Sequence, residues 1–246
     1  MKKLLIILLC FPMIVFSQVT PIFSEYGEGT SFNKWIEIYN PTSQSINLDN
    51  YRYNFCWNGC DDLEWEFSIS FDTGYILMPG ETYLLVHSDA NSTLFNSANQ
   101  TTNLFSNGND VVGLYNNSLD AIVDIIGVFD SIDVVGWDVD GTVNATKDHT
   151  MIRKTDVCTG NMGDWSFSDG STTNSEWVVG AIDDFSNLNI HNTDCASTTY
   201  NEFLDPRSSS IITIIDILGR ESKEIKNQPL FYLYDDGTVE KQIIID

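Results

Sequence analysis

The chain has 246 residues, with 35 acidic residues against 12 basic ones and a formal net charge of −23 at pH 7. This length suits one sizeable domain, alone or with a small appendage. Nucleic-acid binding is excluded because a phosphate backbone is bound by clustered lysines and arginines, and the sequence has no such cluster. The acidic residues are spread through predicted turns, which is typical of a protein kept soluble in an extracellular or periplasmic setting.

The N-terminus has the pattern of a secretory signal peptide. A lysine pair precedes an uncharged apolar run over residues 4–16, and the small residue Ser17 follows. We predict a signal peptide over residues 1–17, since a membrane span needs about 20 apolar residues. An uncleaved anchor and a lipoprotein acylated at Cys10 are the alternatives. Removal of the peptide leaves 10 basic and 35 acidic residues, a net charge of −25, and no predicted transmembrane segment.

The remaining cysteines are Cys56, Cys60, Cys158 and Cys195. An even number in an exported chain favours two disulfides, with three possible pairings. Cys56 and Cys60 would lie about 13 Å apart along an extended strand, too far for a disulfide. The intervening Trp-Asn-Gly can form a turn that brings them together. The preferred pairing is therefore Cys56 with Cys60 and Cys158 with Cys195. A zinc site is the rival, although its ligand pairs usually come as tight repeats.

Residues 34–39 read Lys-Trp-Ile-Glu-Ile-Tyr, in which Ile36 and Ile38 alternate with larger or polar residues. This period of two predicts a half-buried central strand with the isoleucines on its core face and Glu37 on the other. Asn40-Pro41 ends the strand because proline has no N–H for the ladder. Other β-forming runs between turn signals predict strands at 21–26, 51–55, 65–69, 75–77 and 83–87.

Three segments stand in a characteristic order: Trp-Ile-Glu-Ile-Tyr-Asn-Pro at 35–41, Leu-Asp-Asn-Tyr at 48–51 and Pro-Gly-Glu-Thr-Tyr-Leu-Leu-Val at 79–86. They resemble the lamin tail domain, an immunoglobulin-like β-sandwich also found in many secreted bacterial proteins. Later segments at 107–115, 122–127, 148–154 and 176–179 resemble further strands of that family. The resemblance implies a β-sandwich over residues 18–197. It brings no catalytic residues, so function must be argued from sites.

The C-terminal part is expected to be a separate small unit. Residues 198–210 are polar, with Pro206 and three consecutive serines, and form the predicted linker. Apolar runs then predict three strands over residues 211–246, the last two joined at the hairpin signal Asp236-Gly237. A final sheet of the main domain is the alternative.

The Ile-Asp-Ile-Leu-Gly-Arg-Glu run at 215–221 and the strands after it resemble the C-terminal sorting domain of the type IX secretion system in Bacteroidetes. This resemblance covers residues 205–246. It implies transfer across the outer membrane by the type IX machinery, which would engage residues 211–246. The fold class predicted for the whole chain is all-β: an immunoglobulin-like sandwich followed by a small antiparallel sorting unit. The predicted location is the medium or the outer surface of a Gram-negative bacterium.

One acidic segment could hold a cation. Asp138-Val139-Asp140-Gly141-Thr142 places carboxylates at alternate positions before a glycine, as at the start of a calcium loop. Asp138 and Asp140 are therefore candidate ligands for Ca²⁺, the only cofactor considered. Asp130 and Asp133 could join them if the loop folds back.

Two tryptophans are candidates for a ligand platform. Trp137 and Trp165 lie in glycine- and aspartate-rich stretches and are predicted to be exposed, where their rings could stack on a sugar. Trp35 and Trp177 fall in predicted strands and are expected in the core.

No catalytic constellation is recognisable. The three histidines have no metal-ligand spacing, and the sequence has no Gly-x-Ser-x-Gly nucleophile elbow. The favoured hypothesis is a non-enzymatic module for adhesion or ligand binding, with a cell-surface polysaccharide or a protein as its ligand. A calcium-dependent carbohydrate-binding module and a secreted hydrolase are the alternatives.

Overall fold

The computed structural model describes residues 20–60, 62–130, 134–169, 174–195, 211–217, 219–223, 226–234 and 239–243. The predicted signal peptide with Cys10, the predicted linker, Asp133 and the Asp236-Gly237 turn lie outside these residues. Contacts divide the chain into two compact units, Met1–Thr198 and Thr199–Asp246. Each is described by itself.

The first unit is made mainly of β-strands. In chain order they are β1 (Ile22–Glu28), β2 (Lys34–Tyr39), β3 (Ile46–Asn47), β4 (Tyr51–Cys56), β5 (Phe67–Ser70), β6 (Ile76–Leu77), β7 (Thr82–His87), β8 (Gln100–Thr102), β9 (Val111–Asn116), β10 (Ala121–Ile126), β11 (Thr150–Arg153) and β12 (Trp177–Gly180). Two short helices, α1 (Ser92–Ser97) and α2 (Ser166–Asp169), and a 3-10 turn over Leu48–Asn50 complete the described elements.

Two sheets pack face to face. The larger has the order β12-β11-β1-β2-β7-β8, and the smaller has the order β10-β9-β4-β5. All pairings in both are antiparallel except β7 with β8. The main hydrophobic core lies between them, with Ile36 and Ile38 of β2 facing Tyr53, Phe55 and their neighbours in the smaller sheet. The predicted core face of β2 is therefore confirmed.

Strand β2 is buried on both faces, so the prediction of a half-buried strand is wrong. All six of its residues are buried. On its outer face Trp35 packs with Leu84 and Leu94 in a second hydrophobic cluster, against which Phe185 also packs. The covering elements are α1 and the segment 183–191. Alternation along one strand gives no sign of a cover supplied by residues about 150 positions away.

A buried ion pair joins the two sheets. The Arg153 side chain has no solvent exposure, and its Nη2 donates to Asp124 Oδ2. Its Nη1 donates to Glu176 Oε2 at 2.9 Å and its Nε to the carbonyl oxygen of Phe23 at 3.1 Å. The guanidinium carbon lies 4.2 Å from the ring centroid of Trp177. Because Asp124 is on β10 and Arg153 on β11, one charge pair bridges the sandwich.

Both disulfides of the preferred pairing are present. Cys56 is bonded to Cys60 with a Cα–Cα distance of 5.3 Å, and Cys158 is bonded to Cys195 at 5.5 Å. The short bridge closes because Asn58 and Gly59 both take positive φ, at 57° and 100°, as the predicted turn requires.

The second unit contains the predicted three-stranded antiparallel sheet. Its strands are β13 (Ile211–Ile215), β14 (Pro229–Tyr234) and β15 (Val239–Ile243), in that order across the sheet. Leu230 and Tyr232 of the central strand are buried. After β13, Arg220 pairs with Asp216 at 2.7 Å, and Gly219 takes a positive φ of 75° in the intervening turn.

We expect Arg153→Met to lower the free energy of unfolding of the first unit by about 3–5 kcal/mol, because it leaves the Asp124 charge buried without its cation. Urea denaturation followed by tryptophan fluorescence measures the effect. The adjacent Lys154→Met is the control, since Lys154 is partly exposed and its Nζ is 3.9 Å from Asp140. Its loss should stay below about 1 kcal/mol. Equal losses in both variants would contradict a structural role for the buried pair.

Candidate functional site

A groove of about 740 Å³ lies beside strands β9 and β10 of the smaller sheet, and its residues Trp65, Ile122 and Phe129 also pack against the main core. We call it the aromatic groove. Its lining combines aromatic, aliphatic and acidic side chains from five stretches of chain: Leu63, Glu64, Trp65, Tyr115, Asp120, Ala121, Ile122, Phe129, Met162 and Gly163.

Trp65 forms the floor because the neighbouring strand lacks a side chain there. A Cβ added at Gly113 would lie 2.6 Å from the Trp65 ring, so only glycine lets the indole rest on β9. Tyr115 is two residues further along β9 and therefore on the same face. The sequence predicts Trp65 within a strand, but β5 begins only at Phe67, and Trp65 sits in the loop before it.

Phe129 forms one wall of the groove. Its ring centroid lies 4.5 Å from that of Trp65, at an interplanar angle of 44°. The loop that holds Phe129 is tied to the short disulfide, since the N–H of Cys60 donates to the carbonyl oxygen of Asp130 at 2.7 Å. The disulfide loop is therefore bonded to the residue after Phe129, whose ring in turn packs on Trp65.

The turn at Met162-Gly163 is anchored to the buried ion pair. The Asn161 N–H donates to Asp124 Oδ1 at 3.1 Å, and Asn161 Oδ1 accepts from the N–H of Ile125 at 3.0 Å and of Gly163 at 3.2 Å. Met162 is 58% exposed although the turn beneath it is fixed in this way. Its flexible thioether chain therefore lies at the rim, where it can adapt to a ligand.

The groove is acidic. Glu64 and Asp120 are exposed, and none of the described lining residues is a lysine, arginine or histidine. The Tyr115 hydroxyl donates to Asp120 Oδ1, which fixes this carboxylate beside the ring. The same hydrogen bond, with a smaller contribution from burial, raises the pKa of Tyr115. Tyr115 thus stays neutral and presents both a ring face and a hydroxyl.

The predicted calcium ligands lie in a tight turn that is closed mainly by its own hydrogen bonds. Asp138 Oδ1 accepts from the N–H of Asn144 at 2.8 Å, and Asp140 lies 3.9 Å from Lys154 Nζ. In the described part of the chain no three His, Cys, Asp or Glu side chains are grouped as metal ligands. Calcium binding by Asp138 and Asp140 stays a prediction without support from this arrangement.

The predicted tryptophan platform is not formed. Trp165 is only 3% exposed and belongs to the main core, so the prediction that it is exposed is wrong. Trp137 is partly buried and packs across Gly127, where an added Cβ would lie 2.5 Å from its Nε1. Loop composition indicated exposure, but core packing determines where both rings lie. Trp35 and Trp177 are fully buried, as predicted.

Two buried carboxylates have the pKa values of a general acid and base but lie out of reach of a substrate. Glu25 of β1 and Glu37 of β2 are opposite each other and fully buried. Burial, and then the charge of Glu37, raise the pKa of Glu25 to about 8; burial raises that of Glu37 to about 7. Glu37 accepts hydrogen bonds from the Ser24 hydroxyl at 2.7 Å and from the Asn189 N–H at 2.6 Å.

The segment 183–191 covers this acidic pair. Besides the Asn189 contact, the Phe185 ring packs edge-on against Trp35 at 5.3 Å, and the His191 ring lies 4.6 Å from that of Tyr39. Burial, and then the positive charge of Arg153, lower the pKa of His191 to about 4. The pair is therefore a part of the packed outer layer, and the aromatic groove is the better candidate site.

The first half of the chain has a family match. Residues 16–130 match the Lamin Tail Domain family model. This lamin tail segment is just under half of the chain and takes in β1–β10, whereas β11, β12 and the second unit lie beyond it. Together with the two packed sheets, the match confirms the predicted all-β, immunoglobulin-like sandwich. No curated protein matches the chain.

The aromatic groove is built mostly from the lamin tail segment. Eight of its ten described lining residues lie there, and only Met162 and Gly163 come from the part beyond.

No helix among the described residues is long and apolar enough to cross a membrane.

We expect the contribution of Glu25 and Glu37 to protein stability to fall as the pH rises from about 4.5 to about 8. The folded-state pKa values of Glu25 and Glu37 lie above the ordinary 4.5, so between these limits the folded state binds more protons than the unfolded one. Relative to the natural protein, Glu25→Gln should become steadily more stable across this range, by at most about 1.4 kcal/mol per pH unit.

Urea denaturation at a series of pH values measures this difference. Glu64→Gln is the control because Glu64 is exposed, and it should give a nearly constant difference from the natural protein. A Glu25→Gln curve parallel to that of the natural protein would show that Glu25 is already ionised in the folded state.

Proposed function

We propose that this protein is an exported, non-enzymatic β-sandwich module that binds a cell-surface polysaccharide or a protein and so serves in adhesion or ligand capture. The observation that supports binding is the aromatic groove. The disulfide loop is bonded to the loop that carries Phe129, and the turn at Met162 is fixed by its bonds to Asn161. A pre-formed concave surface with apolar walls and a few polar groups is the usual form of a ligand site.

The lack of enzymatic activity is also part of the proposal. Among the described residues, the lining of the groove includes two carboxylates, Glu64 and Asp120, but no serine, cysteine, histidine or lysine to serve as a nucleophile or its base. The two buried carboxylates with raised pKa values are covered by the segment 183–191. Neither Asp138 nor Asp140 lines the groove, so the proposed binding needs no calcium.

Export is supported by three features. The N-terminus has the pattern of a signal peptide, and both disulfides suit an oxidising compartment. The last unit contains the three antiparallel strands expected of a type IX sorting tail. We propose delivery by the type IX machinery, through residues 211–246, to the outer surface of a Gram-negative bacterium or to the medium.

Deletion of residues 205–246 should trap the protein in the periplasm, because the proposed sorting signal is lost while the signal peptide is kept. Cell fractionation and surface labelling in a host with a type IX system measure the outcome. The full chain in the same host, and in a host that lacks the system, are the controls. Surface delivery of the truncated chain would refute the role of the tail.

Ala121→Trp should abolish ligand binding, because it adds bulk to the groove lining on a strand that tolerates tryptophan. The measurement is a screen of the full chain against immobilised polysaccharides and outer-surface proteins. Val178→Trp, at an exposed position of edge strand β12, is the matched control. Equal capture by Ala121→Trp and the natural protein would exclude the groove as the site, and turnover of any captured polymer would favour the hydrolase alternative.

A further inference from the structure

The charge of the aromatic groove points to a class of ligand. In the part of the chain that the structure describes, its lining has two carboxylates, Glu64 and Asp120, and no basic side chain. Arg52 pairs with Tyr115 across β4 and β9, yet its Nη1 donates to the carbonyl oxygens of Asp49 at 3.1 Å and Tyr51 at 2.8 Å. That arginine is therefore directed to the turn before β4, and it does not neutralise the groove.

The aromatic rings favour the same kind of ligand. A guanidinium or ammonium group is attracted to the face of a tryptophan, tyrosine or phenylalanine ring by about 0.5–2 kcal/mol. Trp65, Phe129 and Tyr115 are all partly exposed in the groove, and Asp120 is hydrogen-bonded to the Tyr115 hydroxyl. A cation seated there would therefore meet ring faces and a carboxylate together.

The rim suits the stem of a long basic side chain. Leu63 is 59% exposed and Met162 is 58% exposed, and both line the groove. Lysine and arginine bury their methylene stems on apolar surface while the charged end contacts polar groups. At longer range, the net charge of −23 attracts a basic partner and repels an acidic one.

We propose that the aromatic groove binds a basic segment of a partner protein by seating an arginine or lysine side chain against Trp65 and Phe129, with Glu64 and Asp120 as its counter-ions. This proposal rests on the proposed binding function and selects a protein over a polysaccharide as the ligand. A neutral sugar would use the ring faces and would donate hydroxyl hydrogen bonds to the two carboxylates, but a cation also gains the attraction between opposite charges.

Methyl NMR of the full chain labelled at the methionine methyl groups tests this directly. The probe is the blocked peptide Gly-Arg-Gly-Arg-Gly, with Gly-Gln-Gly-Gln-Gly and a neutral glucose hexasaccharide for comparison. At about 0.1 M salt, where exposed charges are screened beyond about 10 Å, the arginine peptide should shift the Met162 methyl signal saturably. Met78 is 48% exposed outside the groove, so its signal should stay in place.

Removal of the two charges in the groove distinguishes binding of the peptide in the groove from the general attraction of a basic peptide to an acidic protein. Glu64→Gln with Asp120→Asn should weaken peptide binding about tenfold, while the amide oxygen at position 120 still accepts from the Tyr115 hydroxyl. Asp89→Asn with Asp156→Asn is the matched control, since it removes two exposed charges outside the groove. It should change binding less than about twofold. Equal weakening in both double variants would overturn the proposal.

Two further outcomes of the methyl NMR experiment would overturn the proposed cationic ligand. A Met162 shift with the hexasaccharide and none with the arginine peptide would overturn the cationic ligand but leave the groove as the binding site of the proposed function. A shift with neither probe would overturn the cationic ligand too. The Ala121→Trp screen then decides independently whether the groove binds anything.

Discussion

The ion pair between Arg153 and Asp124 is the interaction on which the rest of the first unit depends. A buried charge is tolerated only when it is paired and its other hydrogen-bonding groups are satisfied. Here the arginine also bonds Glu176 and the backbone of Phe23, and the aspartate also accepts from Asn161. These bonds join the two sheets and fix the turn that carries Met162. The buried ion pair is therefore connected, through Asn161, to the turn at the rim of the aromatic groove.

The two sheets differ in what covers their outer faces, and this difference explains where a ligand can bind. The outer face of the larger sheet is filled by Trp35 and the side chains packed on it, under α1 and the segment 183–191. The outer face of the smaller sheet has the glycine at position 113, so the indole of Trp65 can rest on the strand. Aromatic surface is consequently buried on one side of the sandwich and partly exposed on the other.

The groove is lined by residues within the matched segment and by residues beyond it. Most of its lining belongs to the lamin tail segment, whereas the Met162-Gly163 turn follows that segment and is anchored to β10 by Asn161. The matched segment alone therefore does not form the whole site. Specific binding would depend on the loops and on the turn added after the matched segment, as expected when a common scaffold serves different functions.

The sequence by itself determined the all-β class, the core face of β2 and, through the Trp-Asn-Gly turn, the pairing of Cys56 with Cys60. These follow from the alternation of apolar and polar side chains and from the residues that form turns, and both signals lie within a few neighbouring residues. Only the tertiary structure decided that β2 is covered on both faces, that Trp165 is buried, and that Trp65 and Phe129 form a groove. Each of these depends on segments distant in sequence. The groove depends in addition on Gly113, whose missing side chain matters only because the Trp65 ring lies above it.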